Sequence, residues 1–92
     1  MAAEIEAALI RYVQALEKGA AGTHAANDRP LFTARLAAAA GIFADLQLGE
    51  FAAVKRRVAQ EQLAFGRSFL SGDDGDIAEK AFNEFAKLVA AR

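Results

Sequence analysis

The centre of the sequence contains two long helical patterns separated by one glycine, and residues 29–71 read RPLFTARLAAAAGIFADLQLGEFAAVKRRVAQEQLAFGRSFLS. Apolar residues recur at helical spacing on both sides of Gly49, and the strict alternation typical of a strand is absent. A glycine directly after an apolar pattern indicates a helix C-terminus, because glycine adopts the left-handed conformation there without steric cost. We therefore predict helices at about 29–48 and 50–71, joined by a tight turn.

Two further helices are predicted on either side of this pair. The first spans about 3–18, and Gly19 is expected to end it as the left-handed residue of the C-terminus. The fourth spans about 76–91, because Asp76 is followed three residues later by a glutamate, which is the pattern of a capping box. The preceding residues 73–75 are expected to form a turn.

The sequence predicts an all-α fold, a four-helix up-down-up-down bundle within a single domain. A chain of 92 residues has room for one hydrophobic core only, and short connections favour antiparallel neighbours. The tight turn makes the second and third predicted helices a hairpin. A register read outward from that turn places apolar residues opposite one another at three levels: Phe43 with Val54, Ala39 with Val58, and Phe32 with Phe65.

Composition and charge exclude several classes of function. The 11 basic and 12 acidic residues give a net charge of −1, so the chain lacks the overall positive charge typical of nucleic-acid-binding proteins. Absence of cysteine excludes a disulfide framework and a thiol nucleophile. Residues 1–6 carry acids where a signal peptide is basic, and the longest stretch without an ionisable side chain, residues 36–44, is too short to span a bilayer. We expect a cytoplasmic protein with neither a membrane nor a nucleic-acid partner.

Four polar residues fall on or beside the predicted core. Arg35 lies within the apolar arc of the second helix, Glu61 flanks that of the third, and the hairpin register puts the two at nearly the same level. Gln62 and Tyr12 are also expected to lie between helices. We interpret Arg35 and Glu61 as an ion pair that sets the helix register. The alternative is a polar patch in a small-molecule-binding or catalytic bundle, although no nucleophile accompanies it.

The single histidine and the acidic turn suggest two further sites, and neither is favoured. His24 would serve a histidine phosphotransfer module, but it lies in a predicted loop, whereas such modules expose their histidine on a helix. One histidine also cannot supply the two Glu-x-x-His pairs of a di-iron bundle. The acids at 73–76 lack the spacing of a calcium loop. No metal and no cofactor are predicted.

Charge is distributed unevenly between the last two predicted helices. The third is locally basic, with residues 55–57 and Arg67, whereas the fourth is acidic. We interpret this difference as complementary packing between the two helices.

The second predicted helix points to a partner. Opposite its large apolar residues lies a face of small ones, represented by Ala37, Gly41 and Ala44, with Leu48 among them. A surface helix of a small monomer normally has a polar outer face, so this one is expected to pack against another chain. We predict a protein–protein interaction module that forms a homodimer through this helix, with a different protein as the alternative partner.

Overall fold

The described residues fold into four helices and contain no strand. A computed structural model describes residues 2–22, 28–67, 70 and 72–92. The helices are α1 (Ala2–Ala21), α2 (Arg29–Gln47), α3 (Phe51–Arg67) and α4 (Gly72–Ala90).

Each helix packs on two neighbours in a closed ring. The contacts are most extensive between α1 and α4 and least extensive between α3 and α4, and within the described ranges the backbones of the diagonal pairs do not approach each other closely. This arrangement confirms the predicted all-α up-down-up-down bundle. No helix in this part of the chain is both long and apolar enough to cross a membrane.

The turn between α2 and α3 is the one predicted at Gly49. This residue has a φ of +73°, in the left-handed region. Its N–H donates to the Leu46 carbonyl at 3.2 Å, and the Glu50 N–H donates to the Asp45 carbonyl at 2.9 Å. These two bonds form a Schellman motif, which satisfies carbonyl groups that the end of α2 would otherwise leave without a partner. Because the motif reverses the chain at once, α3 runs back along α2.

The predicted end of α1 at Gly19 is wrong, because the helix continues to Ala21. Gly19 is buried within α1 and does not have a positive φ. A Cβ atom at this position would lie 2.1 Å from Cε1 of Phe32, whose ring packs directly on the glycine backbone. Glycine is therefore required here for the close approach of α1 and α2, and not for a left-handed turn.

The third helix is shorter than predicted. It ends at Arg67, whereas the sequence pattern extends it to residue 71. Leu70 lies outside the helix and is buried, with 3% of its surface exposed. The last predicted residue of this helix, Ser71, lies outside the described residues.

The fourth helix begins four residues earlier than predicted, at Gly72, so the expected turn at 73–75 and the expected cap at Asp76 are wrong. Asp73 and Asp74 occupy the first helical turn, where carboxylates interact favourably with the helix dipole. Gly75 is buried, and a Cβ atom added there would lie only 2.3 Å from the carbonyl oxygen of Leu70. A residue larger than glycine at position 75 would therefore clash with the Leu70 backbone.

Aromatic side chains from three helices fill the centre of the bundle. The Phe65 and Phe82 rings are stacked with centroids 5.1 Å apart, and Tyr12 lies 5.2 Å from Phe82 at a tilted angle. Both geometries are favourable for aromatic pairs. Ile77 is 50% exposed, because the buried face of α4 is centred on the side of Phe82 and Phe85.

Substitution of Gly19 tests the close approach of α1 and α2. We expect Gly19→Ala to lower the free energy of unfolding by about 1–3 kcal/mol, the usual cost of overpacking, because the Phe32 ring is buried and has little room to move. Gly66→Ala is the matched control in α3. Nothing lies within 4 Å of its added Cβ, so we expect a gain of roughly 0.5–1 kcal/mol from helix propensity. Urea denaturation measures both, and a Gly19→Ala protein as stable as wild type would contradict the packing described.

Candidate functional site

The predicted ion pair between α2 and α3 is present. Nε of Arg35 lies 3.2 Å from Oε2 of Glu61, and their side chains are 18% and 7% exposed. The geometry does not make a hydrogen bond, so both atoms are buried without a hydrogen-bond partner among the described residues. The pair is thus an ionic contact inside the bundle, and its attraction depends on the exclusion of water.

Tyr12 of α1 lies close enough to this pair for both charges to act on its hydroxyl. The residue is fully buried, and its hydroxyl has no hydrogen-bond partner in the described part of the chain. Burial raises the pKa of the hydroxyl far above its ordinary value, the charge of Glu61 raises it further, and that of Arg35 lowers it. The phenol therefore stays neutral, and three helices contribute to one buried polar cluster, Tyr12–Arg35–Glu61.

Gln62 does not belong to the polar cluster. The sequence places it near the centre of the apolar arc of α3, but its side chain is exposed and lies at the open furrow between α3 and α4. The buried residues of α3 are Val54, Val58, Glu61 and Phe65, so its core face is rotated toward Glu61. Rotation of the helix by about one residue relative to the expected arc accounts for the error.

Glu61 is the one member of the cluster that can change its charge readily. Burial raises the pKa of its carboxyl above the ordinary value of 4.5, and the nearby Arg35 guanidinium opposes this effect. A raised carboxyl pKa is typical of general acids and bases, but it also occurs in structural ion pairs. Because Glu61 is 5% exposed and Tyr12 is fully buried, the closed bundle offers a ligand little access to them.

The outer face of α2 carries the predicted interface residues. Ala37 and Ala44 are exposed, and Leu48 has 75% of its surface exposed. Gly41 is half-buried, because the Arg57 guanidinium of α3 lies over it, with Nη1 only 2.6 Å from the position of an added Cβ. The small-residue face is therefore open at Ala37, Ala44 and Leu48 and covered at Gly41.

The residue that covers Gly41 forms a second ion pair between α2 and α3. Nε of Arg57 donates a hydrogen bond to Oδ2 of Asp45. We did not predict this pair from the sequence, because the hairpin register places Asp45 opposite the start of α3 rather than opposite Arg57. Both ionisable side chains within α2, apart from Arg29 at its start, are thus paired with α3.

An apolar groove lies beside the α2 face, between α1 and α2. Its volume is about 430 Å³, and its walls are mainly apolar side chains, with Gln14 and Glu17 at the rim. Ile10 contributes to the α1 wall and is 42% exposed. Ala40 belongs both to this groove and to the exposed side of α2, so the groove and the α2 face are continuous.

The structure adds no support for the histidine and acidic sites considered from the sequence. His24 lies in residues 23–27, outside the described residues, so the phosphotransfer interpretation stays a prediction. Asp73, Asp74 and Asp76 lie in the first turns of α4. Among the described residues, no group of three or more side chains of histidine, cysteine, aspartate or glutamate is placed to hold a metal ion.

Comparison with known proteins finds no matching family model, no matching curated protein and no matching solved structure.

A double-mutant cycle tests the energetic role of the buried pair. We expect Arg35→Leu to lower the free energy of unfolding at neutral pH by roughly 3 kcal/mol, because it leaves the Glu61 carboxylate buried without its partner. The double variant Arg35→Leu/Glu61→Leu should recover most of the loss, since apolar side chains of similar volume replace both charges. Urea denaturation measures each corner of the cycle, and purely additive losses would show that the two residues are not coupled.

The Asp45–Arg57 pair is the matched control for this cycle. It joins the same two helices, but Arg57 is 46% exposed. We expect its coupling energy to be below about 1 kcal/mol, as for other exposed ion pairs.

The pH dependence of stability tests the raised pKa of Glu61. A carboxyl whose pKa is higher in the folded state takes up a proton on folding, so its ionised form destabilises the fold. This cost is present above the folded-state pKa and disappears as the pH falls toward the ordinary value of 4.5. Glu61→Gln removes the titration but keeps the shape. We therefore expect the stability of wild type relative to Glu61→Gln to increase as the pH falls from about 7.

Urea denaturation of both proteins across this pH range measures the difference between their free energies of unfolding. The other carboxylates titrate in both proteins, so their contributions cancel in this difference. A relative stability of wild type that decreases toward acid pH would mean that the attraction of Arg35 outweighs desolvation.

Proposed function

We propose that this chain is a small helical protein–protein interaction module that self-associates through the outer face of α2. The observation that carries the proposal is that this exposed face is apolar and made of small side chains. From Ala34 to Ala44, every exposed residue of α2 is an alanine, and Leu48 extends the apolar surface beyond the end of the helix.

The helix α2 differs from the other three in the distribution of its apolar residues. In α1, α3 and α4 these residues are concentrated on one side, whereas in α2 they are spread almost evenly around the axis. A helix that is apolar all round is normally buried on all sides. Because the bundle covers only one side of α2, the other side is suited to contact with a second chain.

The charges around this face favour a second copy of the same chain as the partner. Arg35 and Asp45 are the only ionisable residues between Arg29 and Glu50, and each is paired with a residue of α3. Two α2 faces can therefore meet without burying an unpaired charge, which would be costly. Small side chains also let two helix axes approach closely, and a two-fold axis would bring the same face of each copy together.

The groove between α1 and α2 adds apolar surface beside this face. It has room for a side chain as large as leucine, and Leu48, just beyond the end of α2, has 75% of its surface exposed. In the proposed dimer, Leu48 of one copy reaches toward the groove of the other. Burial of such apolar area stabilises a complex by about 25 cal/mol per Å² before the costs of association.

The proposal also assigns the module to the cytoplasm. Small secreted domains commonly depend on disulfides for stability, and this sequence contains no cysteine.

The dimer is tested by placing a charge in the centre of the α2 face. Ala37→Glu adds a carboxylate at an exposed position, so it should leave the helical bundle intact but oppose the contact between copies. We expect wild type to elute as a dimer in size-exclusion chromatography with light scattering, and Ala37→Glu to elute at half that mass. Circular dichroism checks that the variant remains helical.

Ala59→Glu is the matched control, since Ala59 is an exposed alanine in the middle of α3. This variant should remain dimeric. Gly41→Glu is less suitable, because the new side chain would meet the Arg57 guanidinium and be neutralised by it. A wild-type protein that is monomeric at high micromolar concentration, or an Ala59→Glu protein that dissociates as readily as Ala37→Glu, would contradict the proposal.

A further inference from the structure

An open furrow runs between α3 and α4, the two neighbouring helices with the least contact. It consists of two adjoining cavities of about 430 Å³ and 210 Å³. Gln62, Ala86 and Ala90 line both cavities, so the two form one continuous furrow. This surface is distinct from the α2 face and the groove beside it, which lie on other helices.

The charge of the furrow is mainly positive. Three of the four lysines in the chain, Lys55, Lys80 and Lys87, line it. Glu84 is the one carboxylate among the lining residues. In the described ranges, Lys80 and Lys87 form no ion pair, so their ammonium groups are available to a ligand.

The expected complementary packing of basic α3 and acidic α4 does not account for these lysines. Among the described residues, both ion pairs join α2 to α3 and neither joins α3 to α4. Lys55 instead lies 5.5 Å from the centroid of the Phe51 ring on its own helix. The furrow therefore keeps an excess of positive charge, with three lysines against Glu84.

The floor of the furrow is small and mainly apolar. Ala59 and Ala90 are exposed, and Ala86 lies between the helices. Small side chains on the floor allow the backbone of another helix to approach, and grooves between helices commonly bind an amphipathic helix by its apolar face. Between Lys80 and Ala90 the axis of α4 advances by roughly 15 Å, which corresponds to about three turns of a bound helix.

We propose that the α3–α4 furrow binds an acidic amphipathic helix of a partner protein. The apolar side chains of this helix pack on Ala59, Ala86 and Ala90, and its flanking carboxylates pair with Lys55, Lys80 and Lys87. The partner is distinguished from a second copy of the chain by its charge, because the α2 face proposed for self-association carries no exposed acidic residue.

A pair of synthetic peptides tests the charge preference. The first is a capped, fluorescein-labelled helix of about 14 residues, roughly 21 Å long, with leucines on one face and glutamates on its flanks. The second has lysine in place of each glutamate. Fluorescence anisotropy with the full chain should show that the acidic peptide binds roughly tenfold or more tightly, since three exposed charge pairs each contribute a few-fold. Absence of binding by the acidic peptide, or equal binding of both, would overturn the proposal.

A charge-reversal variant locates the binding site. Lys80→Glu/Lys87→Glu should lose the acidic peptide and bind the lysine peptide instead. The matched control is Arg11→Glu/Lys18→Glu, which makes the same change in net charge at exposed positions of α1. This control should retain the preference for the acidic peptide, and circular dichroism confirms that both variants are folded. An equal loss of binding in the two variants would indicate non-specific attraction and contradict the proposed site.

The side-chain amides of Gln62 and Asn83 provide a direct readout, because both residues line the furrow. In a ¹H–¹⁵N NMR titration, their signals should shift on addition of the acidic peptide, whereas the amide of Gln14, which lies in the α1–α2 groove, should not. Shifts confined to Gln14 would place the peptide on the other surface and overturn the proposal.

Discussion

The buried ionic contact between the Glu61 carboxylate and the Arg35 guanidinium constrains how α3 can pack on α2, because neither charge can be buried without its partner at low cost. Apolar side chains of similar size distinguish poorly between neighbouring registers of a helix pair. A charged pair inside the bundle discriminates strongly, because a shift of α3 by one turn would leave both charges buried without a partner. The Asp45–Arg57 pair joins the same helices toward the turn. Since burial raises the pKa of Glu61 despite Arg35, the ionised carboxylate is held in the bundle at a cost in stability.

Two surfaces of the molecule differ in their charge, namely the outer face of α2 and the furrow between α3 and α4. Pairing Arg35 and Asp45 with α3 removes the charges from the outside of α2, and the exposed face that remains is apolar and small. Between α3 and α4, by contrast, the helices are least closely packed and lysines line an open furrow. An uncharged face is suited to a copy of itself, whereas a positively charged furrow is suited to an acidic partner. The two proposed contacts use different helices and therefore do not compete for the same surface.

The parts of this structure that the sequence alone determined are those governed by local geometry. Helical periodicity marked α1, α3 and α4, because the apolar face of each recurs every three to four residues. In α2 only the large apolar side chains recur at this spacing, and alanines occupy much of the remaining surface. The turn at Gly49 was predictable, since a left-handed helix end depends on a few consecutive residues. That short turn in turn restricts the antiparallel register, which is why the Arg35–Glu61 contact could be derived before the structure was known. The exposed alanines of α2 followed from its lack of a polar face.

Only the tertiary structure decided which glycines end helices and which allow two segments to touch. Gly19 and Gly75 resemble helix boundaries in the sequence, but the first lies against the Phe32 ring and the second against the Leu70 carbonyl. The burial of Glu61 rather than Gln62 depends on the rotation of α3 about its axis, which its contacts with two other helices set together. The furrow is likewise a consequence of the separation of α3 from α4. Such distances and rotations result from the packing of all four helices at once, and no short stretch of sequence specifies them.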